Sequence, residues 1–175
     1  MHMKIRRTAI AAALAVASLN AAAAFDYFLK LDGVEGESAL KGFEKQIEVA
    51  SFSWGVSQSA ATGASRAGKS CASDFSFSKG VDKATPVLIG NAVGGTVSPT
   101  AVLIALRPGT QTPEPYLKIE MKNVLVSSYS TSGGGGHAHD AFSLRATSMT
   151  VTYFPQSADG KGGTPVSTTF QVPTC

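Results

Sequence analysis

The chain lacks most of the signatures by which a sequence announces chemistry. It has no G-x-S-x-G elbow for a serine nucleophile, no P-loop and no G-x-G-x-x-G, and its glycine run Gly133 to Gly136 opens no helix. No cluster of basic residues with interleaved aromatics occurs, which removes the pattern of a nucleic-acid-binding surface. After the N-terminal segment, no apolar run is long enough for a transmembrane helix. There is no internal repeat and no linker that would divide the chain. Cysteine is limited to Cys71 and Cys175, so the sequence has material for one disulfide at most.

What is present begins with a segment that reads as a targeting signal. Lys4, Arg6 and Arg7 form a basic start, Thr8 to Leu19 is apolar, and Ala22-Ala23-Ala24 supplies small residues for cleavage. Residues 1–24 are therefore expected to be a secretory signal peptide, cut after Ala24, with residues 25–175 as one domain of 151 residues. A buried N-terminal helix is the other reading, but nearly continuous alanine offers no polar stripe. Without Lys4, Arg6 and Arg7 the basic count falls from 15 to 12 and equals the acidic count. The excess positive charge thus belongs to the signal. The expected location is periplasmic or secreted, with no membrane attachment after cleavage.

Period-two alternation dominates the rest. Tyr27, Leu29 and Leu31 share one face of a first strand. Residues 44–57 read as one long strand, with Ala50, Phe52, Trp54 and Val56 on one face and Ile47 and Val49 on the other. Gln58 to Ser70 is small and polar without periodicity, and is expected to be a flexible loop. Phe75 and Phe77 point inward from a third strand beginning at Cys71. Asp82 to Thr85 offer capping side chains and Pro86 suits a first helical turn, predicting one short helix over about residues 85–93, stopped by Gly94-Gly95. Strands follow over 100–107, 116–132, 140–154 and 166–172. Between Leu144 and Met149 the inward face switches, which predicts a bulge or bend. The expected fold class is mainly β: an antiparallel two-sheet barrel or sandwich with one short α-helix.

Two residue sets invite chemical readings. His137 and His139 alternate on a strand and could share a zinc, although Asp140 would then point elsewhere. The other reading is a solvated hairpin tip, and no metal or other cofactor is expected. Both histidines lie in one loop, so no serine hydrolase is assembled around them and no catalytic residue is assigned. Cys71 and Cys175 either pair, as an oxidising compartment would favour, or stay as two unlinked thiols. Pairing would close a loop of about 100 residues, worth up to about 4.7 kcal/mol in the chain-entropy account.

Four segments carry a resemblance to a known family. They are FLKLDGVEGES at residues 28–38; IEV at 47–49 with SWGVSQ at 53–58; FSF at 75–77 with VDKATP at 81–86; and LKIEMKNVLVSSYSTSG at 117–133 with Tyr153, Pro155 and Gln156. In this order they resemble the haemolysin-coregulated protein (Hcp) family, the ring-forming tube subunits of the type VI secretion system. The resemblance implies a β-barrel with one helix, a homohexameric ring, stacking of rings into a tube, and secreted effectors or a spike protein as further partners. It implies no enzymatic activity. The chain departs from the family in its export signal and at Ala39, Leu40, Lys41, Gly42 and Phe43, which stand where the family has a charged loop that helps rings contact one another. An alternative function is a periplasmic or surface binding module on the same scaffold, without tube assembly.

Overall fold

A computed structural model describes residues 27–60, 67–108, 113–156 and 162–175. The expected signal peptide, residues 1–24, lies outside the described residues. Strands β1 (Tyr27–Leu31), β2 (Ile47–Val49), β3 (Ser51–Ser53), β4 (Val56–Ala60), β5 (Ala67–Ala72) and β6 (Phe75–Gly80) precede helix α1 (Ala84–Gly94). Strands β7 (Val97–Leu106), β8 (Pro115–Ser132), β9 (His139–Arg145), β10 (Ser148–Tyr153) and β11 (Val166–Gln171) follow it.

All pairings are antiparallel. The main sheet runs β2-β1-β7-β8-β9-β6-β3, and its two ends are consecutive in the chain. Only Ala50 separates β2 from β3, and its amide donates to the Ser78 carbonyl of β6 at 2.8 Å. The sheet therefore rolls round and meets itself, which leaves β1, β6, β7 and β9 no bare flank. Strands β10 and β11 branch from β8, and among the described residues β4 pairs only with β5 in a separate two-stranded ribbon.

The barrel turns its corners where the alternation slips by one residue. Ile47 and Val49 are buried, Ala50 is exposed, and Phe52 and Trp54 pack inward after it. The expected single strand over 44–57 is thus three strands. In β8 the inward set is Ile119 and Met121, then Val124 and Val126. Asn123 sits between them at φ 49°, a left-handed residue, and flips which side chains face the core. At the same place β8 exchanges one neighbour for another: β10 pairs with its first half and β9 with its second. The expected strand over 140–154 correspondingly breaks into β9 and β10, where the Thr147 amide donates to the Lys122 carbonyl at 2.9 Å.

Both ends of the expected loop over 58–70 are paired strands, with Gln58 opposite Ser70. The ribbon covers neither of its faces, so it needs no apolar alternation and shows none. Aromatic contacts run through the barrel instead. Phe75 stacks on Phe77 at 4.8 Å, Phe77 on Phe142 at 5.2 Å, and Trp54 packs on Phe75 and Phe170. Burying side chains of this size is the main apolar gain of the fold. Helix α1 lies against β8, with Ala84 and Leu88 buried beneath it.

Candidate functional site

Helix α1 is fixed to the barrel by charge. Phe75, Phe77 and Lys79 alternate on the inner face of β6, and Asp140, Phe142 and Leu144 on the inner face of β9. Lys79 and Asp140 are cross-strand partners, and both side chains are fully buried. Lys79 Nζ lies 2.9 Å from Asp140 Oδ2 and 2.6 Å from Asp82 Oδ1. It also donates to the Gly80 carbonyl at 2.9 Å and to Thr85 Oγ1 at 3.0 Å. Thr85 donates to Asp140 Oδ2, and Thr131 of β8 donates to Asp140 Oδ1 at 2.9 Å. Burial pushes the Asp140 carboxyl up, but hydrogen bonds from Thr85, Lys79, Tyr129 and Thr131 outweigh it and hold it below the ordinary Asp value. Burial also pushes the Tyr129 phenol up.

The first turn of α1 is held by the same groups. Asp82 Oδ1 accepts the Ala84 amide at 2.9 Å, which satisfies one of the amides a helix start leaves over. Glu37 Oε1 accepts the Lys83 amide at 3.1 Å from the β1–β2 loop. That loop can close because Gly36 lies flat on the Gln46 carbonyl: a Cβ there would sit 2.2 Å from the oxygen. At the far end Gly95 takes the left-handed conformation (φ 63°) and its amide donates to the Asn91 carbonyl, ending the helix.

The face of α1 turned to solvent is mainly apolar. Pro86, Val87, Ile89, Gly90, Val93 and Gly94 are all exposed, with half-buried Asn91 at their margin and exposed Lys83 just before the first turn. Val93 is 86% exposed, and Val97 just beyond is 56% exposed. A solvent-facing helix normally carries charge on that side, and a contiguous apolar patch marks a contact surface. A second unfinished surface is β11. Among the described residues it pairs only with β10, and VSTTFQ holds no charge, proline or glycine to guard its outer edge.

The sequence-nominated residues fall in three places. Ala39, Leu40, Lys41 and Gly42 form an exposed turn, while Phe43 turns inward onto Phe28 at 5.1 Å. His137 and His139 are exposed at the hairpin tip, and Asp140 points the other way into the core. Among the described residues no group of three His, Cys, Asp or Glu comes together as a metal site. Cys71 and Cys175 are joined as a disulfide, their Cα atoms 4.7 Å apart.

Sequence reasoning passed over Lys79, Asp82, Thr85 and Asp140 as a group. The signal was available: Lys79 continues the inward series of Phe75 and Phe77, and Asp140 that of Phe142 and Leu144. A charged residue on a core face needs a partner of opposite charge. The apolar outer face of α1 was also missed, because Val87 and Ile89 read equally well as core contacts.

Comparison with known proteins bears on what such surfaces are for. The family described as type VI secretion system effector, Hcp, matches residues 28–153. The chain is 41% identical to Protein hcp1 of Pseudomonas aeruginosa over 149 residues, covering 82% of this chain and 92% of that protein. Among solved structures, a type six secretion system protein superposes with a TM-score of 0.77 at 28% identity, over 85% of this chain and 96% of its own. A type VI secretion system effector from Yersinia pestis does so with a TM-score of 0.71 at 26% identity, over 84% of this chain and all of its own.

Proposed function

Because the chain belongs to the Hcp family of type VI secretion system proteins, we propose that it is a structural subunit that closes into a homohexameric ring. The observation that carries this is the outer face of α1, where six neighbouring exposed positions offer water nothing but carbon and glycine backbone. The unguarded edge of β11 supports it, since an open strand edge pairs readily with another chain. A head-to-tail contact between unlike surfaces gives a ring when its rotation closes. The turn at residues 39–42, anchored by Phe43, is a further contact between rings. The role asks for shape and rigidity and for no catalytic group. Secreted effectors or a spike protein would be met by the finished ring and not by a single subunit.

Hcp is a secreted family, and among the described residues no helix is long and apolar enough to cross a membrane. The basic, apolar and small segments of residues 1–24 support export with cleavage after Ala24, giving a mature chain of residues 25–175. Light scattering on that mature chain tests the ring. A mass near six subunits is expected, and a monomer at every concentration overturns the proposal.

A further inference from the structure

Residues 172–175 form a strap. Beyond β11 the tail lines a cavity of about 620 Å³ together with the apolar side chains of Leu125, Leu144, Ala146 and Met149, here called its floor, and with Asp74, Asn123 and Arg145. Residues 171–175 make one wall of it. Noncovalent bonds hold this wall weakly toward its end. The Val172 amide donates to the Thr147 carbonyl at 2.9 Å and secures the start. Past that point the Pro173 carbonyl accepts the Ala72 amide at 3.2 Å, and the Cys175 carbonyl accepts Lys69 Nζ at 3.4 Å. The first is at the upper end of the ordinary range and the second is beyond it, and Lys69 is at the surface. Pro173 has no amide to give, and Thr174 and Cys175 are exposed.

What the strap is tied to is also weak by itself. Cys71 lies in β5, and among the described residues β4 and β5 pair only with each other. A two-stranded ribbon alone is marginal in water. Val56 is 56% exposed, so the ribbon gains little from packing. The disulfide therefore joins two elements that neither the barrel core nor their own contacts hold firmly.

We infer that the Cys71–Cys175 bridge is a redox latch, which closes the tail over the cavity and steadies the ribbon. Its timing rests on the export reading above: open in the reducing compartment of synthesis, and closed in the oxidising one by exchange with a disulfide oxidant, which takes up the two electrons and two protons of Cys71 and Cys175 and leaves as a dithiol. The latch itself does not depend on that reading. Opening requires a dithiol. One thiolate of the dithiol attacks a sulfur of the bridge, forms a mixed disulfide and releases the other cysteine as a thiolate. The second thiol then attacks the mixed disulfide, freeing the remaining cysteine. The dithiol leaves as a cyclic disulfide, and its two electrons and two protons end on Cys71 and Cys175. The exposed position of Cys175 gives the reagent access. Once the bond is broken, residues 173–175 leave, the apolar floor is uncovered and the ribbon loosens.

The test uses the full chain expressed with its own N-terminal segment, collected after export. Alkylation and intact mass count the free thiols. Hydrogen exchange and the fluorescence of 8-anilinonaphthalene sulfonate are then compared with and without dithiothreitol. No free thiol is expected after export. Reduction should speed exchange at the Ala72 amide roughly tenfold or more and raise dye fluorescence, while barrel amides at Leu29 and Phe142 stay unchanged. Cys175→Ser should behave as the reduced protein without any reductant. Unchanged exchange in residues 67–72 and unchanged dye signal after reduction overturn the latch, as do two free thiols in the exported chain. Failure of the export reading shows separately, as a mass that retains residues 1–24. In that case the timing is overturned, and the exchange comparison alone decides the latch.

Discussion

Lys79 and Asp140 face one another across β6 and β9 with Nζ 2.9 Å from Oδ2, and neither side chain touches solvent. Two charges inside a barrel are costly to desolvate, so they persist only where every lone pair and proton has a partner. Here the partners come from the Gly80 carbonyl beside Lys79 and from two further places: Asp82 and Thr85 where the helix begins, and Thr131 on β8. The pair thereby joins two strands to the element that carries the apolar outer face.

Removing one partner leaves the other charge buried alone. Lys79→Met is expected to destabilise the fold by about 3–5 kcal/mol, read from urea unfolding of the monomer or ring. A loss under about 1 kcal/mol would mean that the pair is worth no more than a surface contact.

The direction of the Asp140 shift sets an acid limit. Its folded value lies below the ordinary one, so the group stabilises the fold fully above the unfolded value of about 3.9 and loses that contribution as pH falls through the folded value. Asp74, held down against burial by Arg145, acts in the same direction. Stability measured from pH 7 downward should fall steeply below about pH 4. Asp140→Asn, already weaker at pH 7, should show a shallower acid slope. Parallel slopes in the two proteins would assign the acid limit to other carboxylates.

A charge on the outer helix face should separate assembly from folding. Val93→Glu replaces a side chain that is 86% exposed, so the fold should keep its stability within about 0.5 kcal/mol. The sedimenting species should fall from ring to monomer. A ring that survives both this change and Ile89→Lys would move the contact elsewhere on the molecule.

Gly36 allows no side chain. In Gly36→Ala the new Cβ would meet the Gln46 carbonyl oxygen at 2.2 Å, and the obstacle is backbone, which cannot rotate away. The loop must shift, at an expected cost of about 1–3 kcal/mol, and Glu37 should lose its hold on the Lys83 amide. Thermal unfolding together with exchange at Lys83 reads both effects. A melting temperature equal to that of the parent chain would show that the loop yields freely.

The elements were legible where one local rule sufficed. Alternation placed β1 through Leu29 and Leu31 and β6 through Phe75 and Phe77, but it did not show that Phe28 and Leu106 bury on the other side against Phe43, nor that Cys71 belongs to β5 and not to the start of β6. The helix was visible in Asp82, Pro86 and Gly95, since caps act on their nearest neighbours. Residues 44–57 were read as one strand because a one-residue slip at a corner leaves the composition unchanged and alters only the phase; in 140–154 the switch of face between Leu144 and Met149 did show the bend, which the structure makes the break between β9 and β10. The ribbon of β4 and β5 was hidden because strands that bury nothing carry no apolar pattern.

Local order in the chain therefore determined the strand content, the helix and the family, all of which rest on neighbours a few residues apart. Tertiary structure alone decided that Ala50 brings the two ends of the sheet together, and that Lys79 meets Asp140 from 61 positions away. It also decided that Val87, Ile89 and Val93 face outward. Those outcomes depend on which surfaces remain after the barrel has closed, and closure is a property of the whole chain that no short window of sequence contains.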